Sequence, residues 1–241
     1  MEQDLNTHIS HAFNDDLIRI RQMTLDMGRM VEHQIEAAVK AVVAADTKLA
    51  HRVEYDDFRV NHLEVTIDGE VNHLIVRRQP TAIDLRFVLS VIKITSDLER
   101  IGDEAEKVAR MGASLAGMNR PRDNYQPIAD LGADVRDMVR DAITAFETYD
   151  VKLARDVLRR DQVVDEKYEK LNGACMSSMS TDPRDIRRFL NVLWITRSLE
   201  RIGDHAKNVC EQVFYFVEGT DVRHPGTRAG EGTATTPPAS H

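Results

Sequence analysis

Residues 84–109 read DLRFVLSVIKITSDLERIGDEAEKVA, and residues 185–210 read DIRRFLNVLWITRSLERIGDHAKNVC. About half of the positions agree, and the stretch LERIGD is identical in both copies. A segment this long returning at a distance marks a duplicated structural unit, each copy built on the same pattern of buried and exposed positions.

Outward from this pair the repeat continues. Asp46-Thr47-Lys48-Leu49-Ala50 falls on Asp150-Val151-Lys152-Leu153-Ala154, then Val53 on Val157, Asp57 on Asp161 and Val60 on Val164. Each leading aspartate is placed to cap a helix by accepting from its first free amides. Upstream of each, apolar residues recur three and four apart: Phe13, Leu17, Ile20, Met27, Val31, Ile35, Ala38 and Val42, and again Ile128, Leu131, Val135, Met138, Ala142 and Phe146. Such stripes specify long amphipathic helices. Breaks at Gln79-Pro80-Thr81 and Thr181-Asp182-Pro183 put proline near a first helical turn, where its missing N–H loses no bond. The cluster of Gly112, Gly117, Asn119, Pro121 and Pro127 marks a mid-chain joint. The polar end, GTRAGEGTATTPPASH, lacks the apolar surface to order itself. No stretch alternates apolar and polar residues as a half-buried strand does. These readings predict an all-α chain of two tandem, pseudo-symmetric three-helix bundles at residues 1–118 and 119–217, followed by a disordered tail over 218–241. Its helices are placed at 3–45, 47–78, 82–116, 126–148, 151–178 and 184–217.

With 241 residues, 42% of them hydrophobic, the chain can bury a core without covalent staples. Its two cysteines, Cys175 and Cys210, lie far apart, which argues against a disulfide framework or a thiolate zinc site. A formal charge of -8, with acids interleaved among the arginines, disfavours a nucleic-acid backbone as partner. The first residues, MEQDLNTHIS, lack a basic segment leading into an apolar one, and no apolar run reaches the roughly 18 residues of a membrane span. The expected location is the cytoplasm. No glycine-rich phosphate loop, nucleophile elbow or nucleophile and base pair occurs.

Residues four apart share a helix face, so Glu99 stands beside Asp103 and Glu200 beside Asp204. Two readings are open. In one, the acids form ordinary helix-surface ion pairs. Asp103 has Arg100 and Lys107 within a turn, Asp204 has Arg201 and Lys207, and Glu200 has Arg197, whereas Glu99 has no cation three or four residues away. In the other, the second helix of each half brings further carboxylates against the pair, Asp57 in the first half and Asp161 with Asp165 in the second. Glu64 and Asp68 continue the first column. Such a cluster asks for a cation, and oxygen-only ligation suits Mg2+, Mn2+, Ca2+ or iron. Gly102 and Gly203, between the two acids of each pair, leave room for a close helix or for ions. A carboxylate-bridged di-metal enzyme of the ferritin-like kind is a further alternative, raised by the Glu-x-x-His element Glu70-Val71-Asn72-His73. That site needs the element twice, and the second half has Ala174-Cys175-Met176-Ser177 in its place. Trp194 and Phe189 read as core or interface. His205, although adjacent to Asp204, points about 100° away from it around the helix.

The doubled LERIGD, the D-x-K-L-A helix starts and the two three-helix halves resemble the PhoU family of phosphate-specific transport accessory proteins, over about residues 5–217. The resemblance implies a cytoplasmic, dimeric regulator without enzymatic activity that represses phosphate uptake and the phosphate-starvation response when phosphate is plentiful. It implies two partners, the ATPase subunit of the phosphate ABC transporter and the PAS region of the phosphate sensor histidine kinase, and membrane contact through these alone. Family members carry metal on paired Glu/Asp-x-x-x-Asp motifs. The implied ligands are Glu99 and Asp103 with Asp57 in the first half, and Glu200 and Asp204 with Asp161 and Asp165 in the second, holding Mg, Mn, Fe or Zn. Asn61 stands where the second half has Asp165, so the first cluster is the one expected to be short of a ligand. The metal's expected role is structural or regulatory, because no acid and base with divided environments accompany it.

Overall fold

The computed structural model describes residues 2–80, 82–118, 125–181 and 183–219. Among these residues the chain is six α-helices without a strand: α1 Glu2–Ala44, α2 Thr47–Arg78, α3 Ala82–Ala116, α4 Gln126–Thr148, α5 Val151–Thr181 and α6 Ile186–Glu218. A 3-10 turn, Pro183–Asp185, leads into α6.

The expected caps form in both halves. Asp46 accepts from the amides of Lys48 and Leu49, both at 3.0 Å, and Asp150 from those of Lys152 and Leu153 at 2.9 and 3.0 Å. Immediately before each cap the backbone turns left-handed, at Ala45 (φ 55°) and Tyr149 (φ 57°). The Asp46 and Asp150 amides then donate to the carbonyls of Ala41 and Ala145, each at 3.0 Å, which closes the preceding helix end. The chain reverses within two residues, so α1–α2 and α4–α5 are tight antiparallel pairs.

The apolar stripes go inward. Ile20, Met27, Val31, Ile35, Ala38 and Val42 are fully buried, as are Leu131, Val135 and Met138, with Phe13 and Leu17 packed at the edge. The joint falls where the helix spans 82–116 and 126–148 place it. Gly112 lies inside α3 against Val42, and Pro127 sits in the first turn of α4, where it breaks no hydrogen bond. Glu218 ends α6 rather than beginning the tail. The remainder of the expected tail, residues 220–241, and joint residues Asn119 and Pro121 lie outside the described residues. Trp194 is 62% exposed and so is not core, whereas Phe189 is partly buried.

Each outer helix packs within its own half, α2 on α1 and α3, and α5 on α4 and α6. The halves meet through α1 on α4 and α3 on α6. Both crossings are antiparallel. Gly28 and Gly132, a repeat pair, bring α1 and α4 so close that a Cβ at either would meet Ile143 at 2.6 Å or Val39 at 2.5 Å. Along α3 and α6, Phe87 meets Phe216 edge to face at 5.4 Å, and Asp97 Oδ1 takes His205 Nδ1 at 2.9 Å and Asn208 Nδ2 at 3.0 Å. Glu104, 2% exposed, accepts Lys107 at 3.0 Å and Arg201 of the other half at 2.9 Å. Back-to-back packing of the two LERIGD helices therefore turns their acid pairs outward, one toward α2 and the other toward α5.

Candidate functional site

In the first half, Asp57 hangs from α2 over Gly102 of α3 and is 7% exposed. A Cβ at Gly102 would meet Asp57 Oδ1 at 2.9 Å and Gln34 Oε1 of α1 at 3.2 Å. Gln34 Nε2 donates to Asp57 Oδ1 at 3.4 Å, and Asn61 Nδ2 donates to Oδ2 at 3.1 Å. The oxygens of both amides, Gln34 Oε1 and Asn61 Oδ1, are buried without a partner. Around this floor stand Glu64, Glu99 and Asp103, none of which forms an ion pair or hydrogen bond among the described residues; Lys107, one turn from Asp103, pairs with Glu104 instead. The acids act on one another instead. Burial and then repulsion by Asp103 push the Asp57 carboxyl above its ordinary range. Burial, Asp103, Glu64 and Asp57 do the same to Glu99, with Arg100 opposing. Glu64 is raised by burial, Asp68 and Asp103, again with Arg100 opposing. The same direction holds for Glu106, through burial first, with Arg110 opposing.

The second half has the same backbone frame and a different charge pattern. Asp161, 9% exposed, is the counterpart of Asp57, and Lys207 Nζ bridges it to Asp204, at 2.6 Å from Asp161 Oδ2 and 2.9 Å from Asp204 Oδ1. Arg197 holds Glu200 Oε1 at 2.8 Å, while Glu200 Oε2 is buried without a partner. Asp165 adds negative potential at both Asp161 and Glu200. Burial pulls the Lys207 ammonium down, yet its bonds to Asp161 and Asp204 hold it above the ordinary lysine range. Burial raises Asp161 against the pull of Lys207, and raises Glu200 with help from Asp204 against Arg197. Below Gly203 the floor is apolar, Val164 and Met138 lying 3.5 and 3.8 Å from where a Cβ would stand.

Helix packing thus groups Asp57, Glu99 and Asp103 on one side of the molecule and Asp161, Asp165, Glu200 and Asp204 on the other. Among the described residues no three carboxylate, imidazole or thiolate groups converge on one ion-sized point. By charge and donor type the α2–α3 residues fit a hard cation: unpaired carboxylates, orphan amide oxygens and a glycine cradle that a Cβ would fill. Two contributors escaped sequence reasoning. Gln34 enters from α1, and its one signal is a polar residue set inside the apolar stripe between Val31 and Ile35. Lys207 was legible as a partner of Asp204 one turn away, but not as the ligand of Asp161 on another helix. Arg201, the other local candidate for Asp204, pairs with Glu104 instead.

The PhoU domain family matches this chain twice, over residues 24–111 and 128–213, one match enclosing each LERIGD motif. The chain belongs to the PhoU family. The phosphate-specific transport system accessory protein PhoU homolog of Pseudomonas putida is 44% identical over 237 residues, covering 97% of this chain and 93% of that protein. The accessory protein PhoU of Escherichia coli strain K12 is 40% identical, covering 92% of each chain. The crystal structure of PhoU from Pseudomonas aeruginosa aligns with a TM-score of 0.84 at 43% identity, over 86% of this chain and 100% of that one. That of the phosphate transport system regulatory protein PhoU from Streptococcus pneumoniae aligns with a TM-score of 0.80 at 25% identity, over 87% and 99%. Both acidic faces therefore lie within PhoU domains. The Glu-x-x-His element does not join them: Glu70 is paired with Arg19 at 2.5 Å, and His73 is exposed. Among the described residues no helix is long and apolar enough to cross a membrane.

Proposed function

We propose that this chain is a cytoplasmic accessory protein of a phosphate-specific transport system, without enzymatic activity, that restrains phosphate uptake and the phosphate-starvation response. The observation that carries the reading is similarity over more than nine-tenths of the chain to relatives named as phosphate-specific transport system accessory proteins, with both PhoU domains present. Its partners in this reading are the transporter's ATPase subunit and the PAS region of a sensor histidine kinase. Self-association as a homodimer belongs to the same reading, and the exposed Tyr55, Phe58 and Val65 of α2, each about 70% exposed, supply apolar surface for contact.

The acidic faces would hold divalent or iron-type ions, drawn from Mg, Mn, Fe or Zn, on Asp57, Glu99 and Asp103 and on Asp161, Asp165, Glu200 and Asp204. A bound ion there supplies charge neutralisation and ties the second helix of a half to the third. Asp57 and Asp161 would position it from the buried side, and the third-helix pairs from the solvent side. The di-metal enzyme alternative would need its Glu-x-x-His element in both halves, and the second half has Ala174-Cys175-Met176-Ser177 in its place.

Deleting the gene in its host and following a phosphate-starvation reporter in phosphate-rich medium tests the regulatory reading. Derepression reversed by the wild-type gene is the expected result; a reporter that stays silent in the deletion strain would sink it. Co-purification with the transporter ATPase or the kinase then identifies which partner is held.

A further inference from the structure

We propose that the two acidic sites of this chain differ in kind: the α2–α3 site takes a hard divalent cation such as Mg2+ or Mn2+, and the α5–α6 site is neutralised by the chain's own Lys207 and Arg197. The inference rests on the metal reading above and narrows it to one half. Position by position, Lys207 of α6 stands where α3 has Glu106, and Arg197 where α3 has Ser96. On the facing helix, Tyr168 and Asn172 of α5 stand where α2 has Glu64 and Asp68. Asp165 for Asn61 is the change in the opposite sense. The outcome is visible in the contacts. Asp161, Asp204 and Glu200 each have a cation within 2.9 Å, whereas among the described residues Glu99, Asp103 and Glu64 form no ion pair, Arg100 acting on Glu99 and Glu64 without pairing with either.

The floors of the two sites differ in the same sense. Gln34, 5% exposed, aims an unpartnered Oε1 at the space above Gly102, next to Asp57. Its counterpart Met138 is fully buried and presents a methyl group toward Gly203. A hard cation accepts an amide oxygen as ligand and gains little from a thioether. Asn61 also keeps an oxygen, buried and unpartnered, where the second half has the Asp165 carboxylate. Replacing that acid by Asn61 therefore leaves an oxygen donor in the first site, while the second site, which gains Asp165 but lacks counterparts of Glu64 and Asp68, is already closed by Lys207 and Arg197. An ion entering it must displace an ammonium tethered on the same chain, which competes at a high effective concentration.

The test is Mn2+ titration of the chelator-stripped full-length protein, followed by calorimetry and by paramagnetic broadening of amide resonances. Wild type is expected to bind, with broadening confined to the neighbourhood of residues 57–64 and 99–106. Glu99→Gln with Asp103→Asn should lose the ion, Glu200→Gln with Asp204→Asn should keep it, and Lys207→Glu should increase the amount bound. Broadening at both LERIGD motifs, or loss of binding from both double variants, would overturn the asymmetry while leaving the metal reading intact. No binding to wild type at all would overturn both. The broadening map needs no substitution, so a variant that fails to fold does not remove the test.

Discussion

Glu99 is held among acids that burial and helix packing keep close, and its carboxyl is raised for that reason, as are those of Asp57 and Glu64. A carboxylate whose folded pKa lies above its unfolded one destabilises the fold when both states are ionised. As pH falls through the raised folded value, the native state takes up protons before the unfolded state, so stability rises; the gain is complete below the unfolded pKa. In the presence of chelator, wild type should therefore gain stability relative to an Asp57→Asn, Glu99→Gln variant on going from neutral to mildly acidic pH, as read by urea denaturation at each pH. A constant difference across the range would mean that the acids do not repel as placed. Gly102 and Gly203 offer a second test at this scale. Around Gly203 a Cβ makes ordinary contacts from 3.5 Å outward, so Gly203→Ala should stabilise by about 1 kcal/mol through helix propensity. Gly102→Ala would thrust a Cβ to 2.9 Å from the Asp57 carboxylate that Gln34 and Asn61 hold, so it should forfeit that gain and weaken Mn2+ binding. Equal stabilities by chemical denaturation would refute the close fit.

At the scale of the helix, stops and starts are local events, and here the sequence was a good guide. Asp46 and Asp150 cap α2 and α5 as their positions predict, because an N-cap depends on a side chain and the two or three amides that follow it. Asp46→Ala should lower stability by about 1 kcal/mol, measured by thermal or urea unfolding, with Asp46→Gly much milder. The left-handed residue before each cap was not legible, since Ala45 and Tyr149 stand where glycine is the usual signal. Tertiary packing of two long helices overrides that local preference. Gly112 and Pro127 lie inside the helices expected there, because glycine inside α3 serves the approach of Val42 and proline in the first turn of α4 interrupts nothing.

Across the whole molecule the two repeats share one core. The buried cluster draws on all six helices, and the Asp97–His205 and Glu104–Arg201 contacts cross between halves. Unfolding is expected to be a single cooperative event. Fluorescence of Trp194, the sole tryptophan and a second-half residue, and far-UV circular dichroism, which reports both halves, should give coincident urea transitions. Separate midpoints would show that the repeats are independent folding units. From the sequence by itself came the duplication, legible because two segments can be compared without knowing where either folds, and the helical class, the inward stripes and the two acidic motifs, because each of these depends on residues within a turn or two of one another. The tertiary structure alone decided which charge meets which. Lys207 reaches Asp161 on a different helix, Arg201 abandons Asp204 for Glu104 in the other half, and Gln34 brings an orphan oxygen beneath Gly102. Those pairings follow from the rotation and depth at which helices distant in sequence pack, and that is a property of the assembled core rather than of any local spacing.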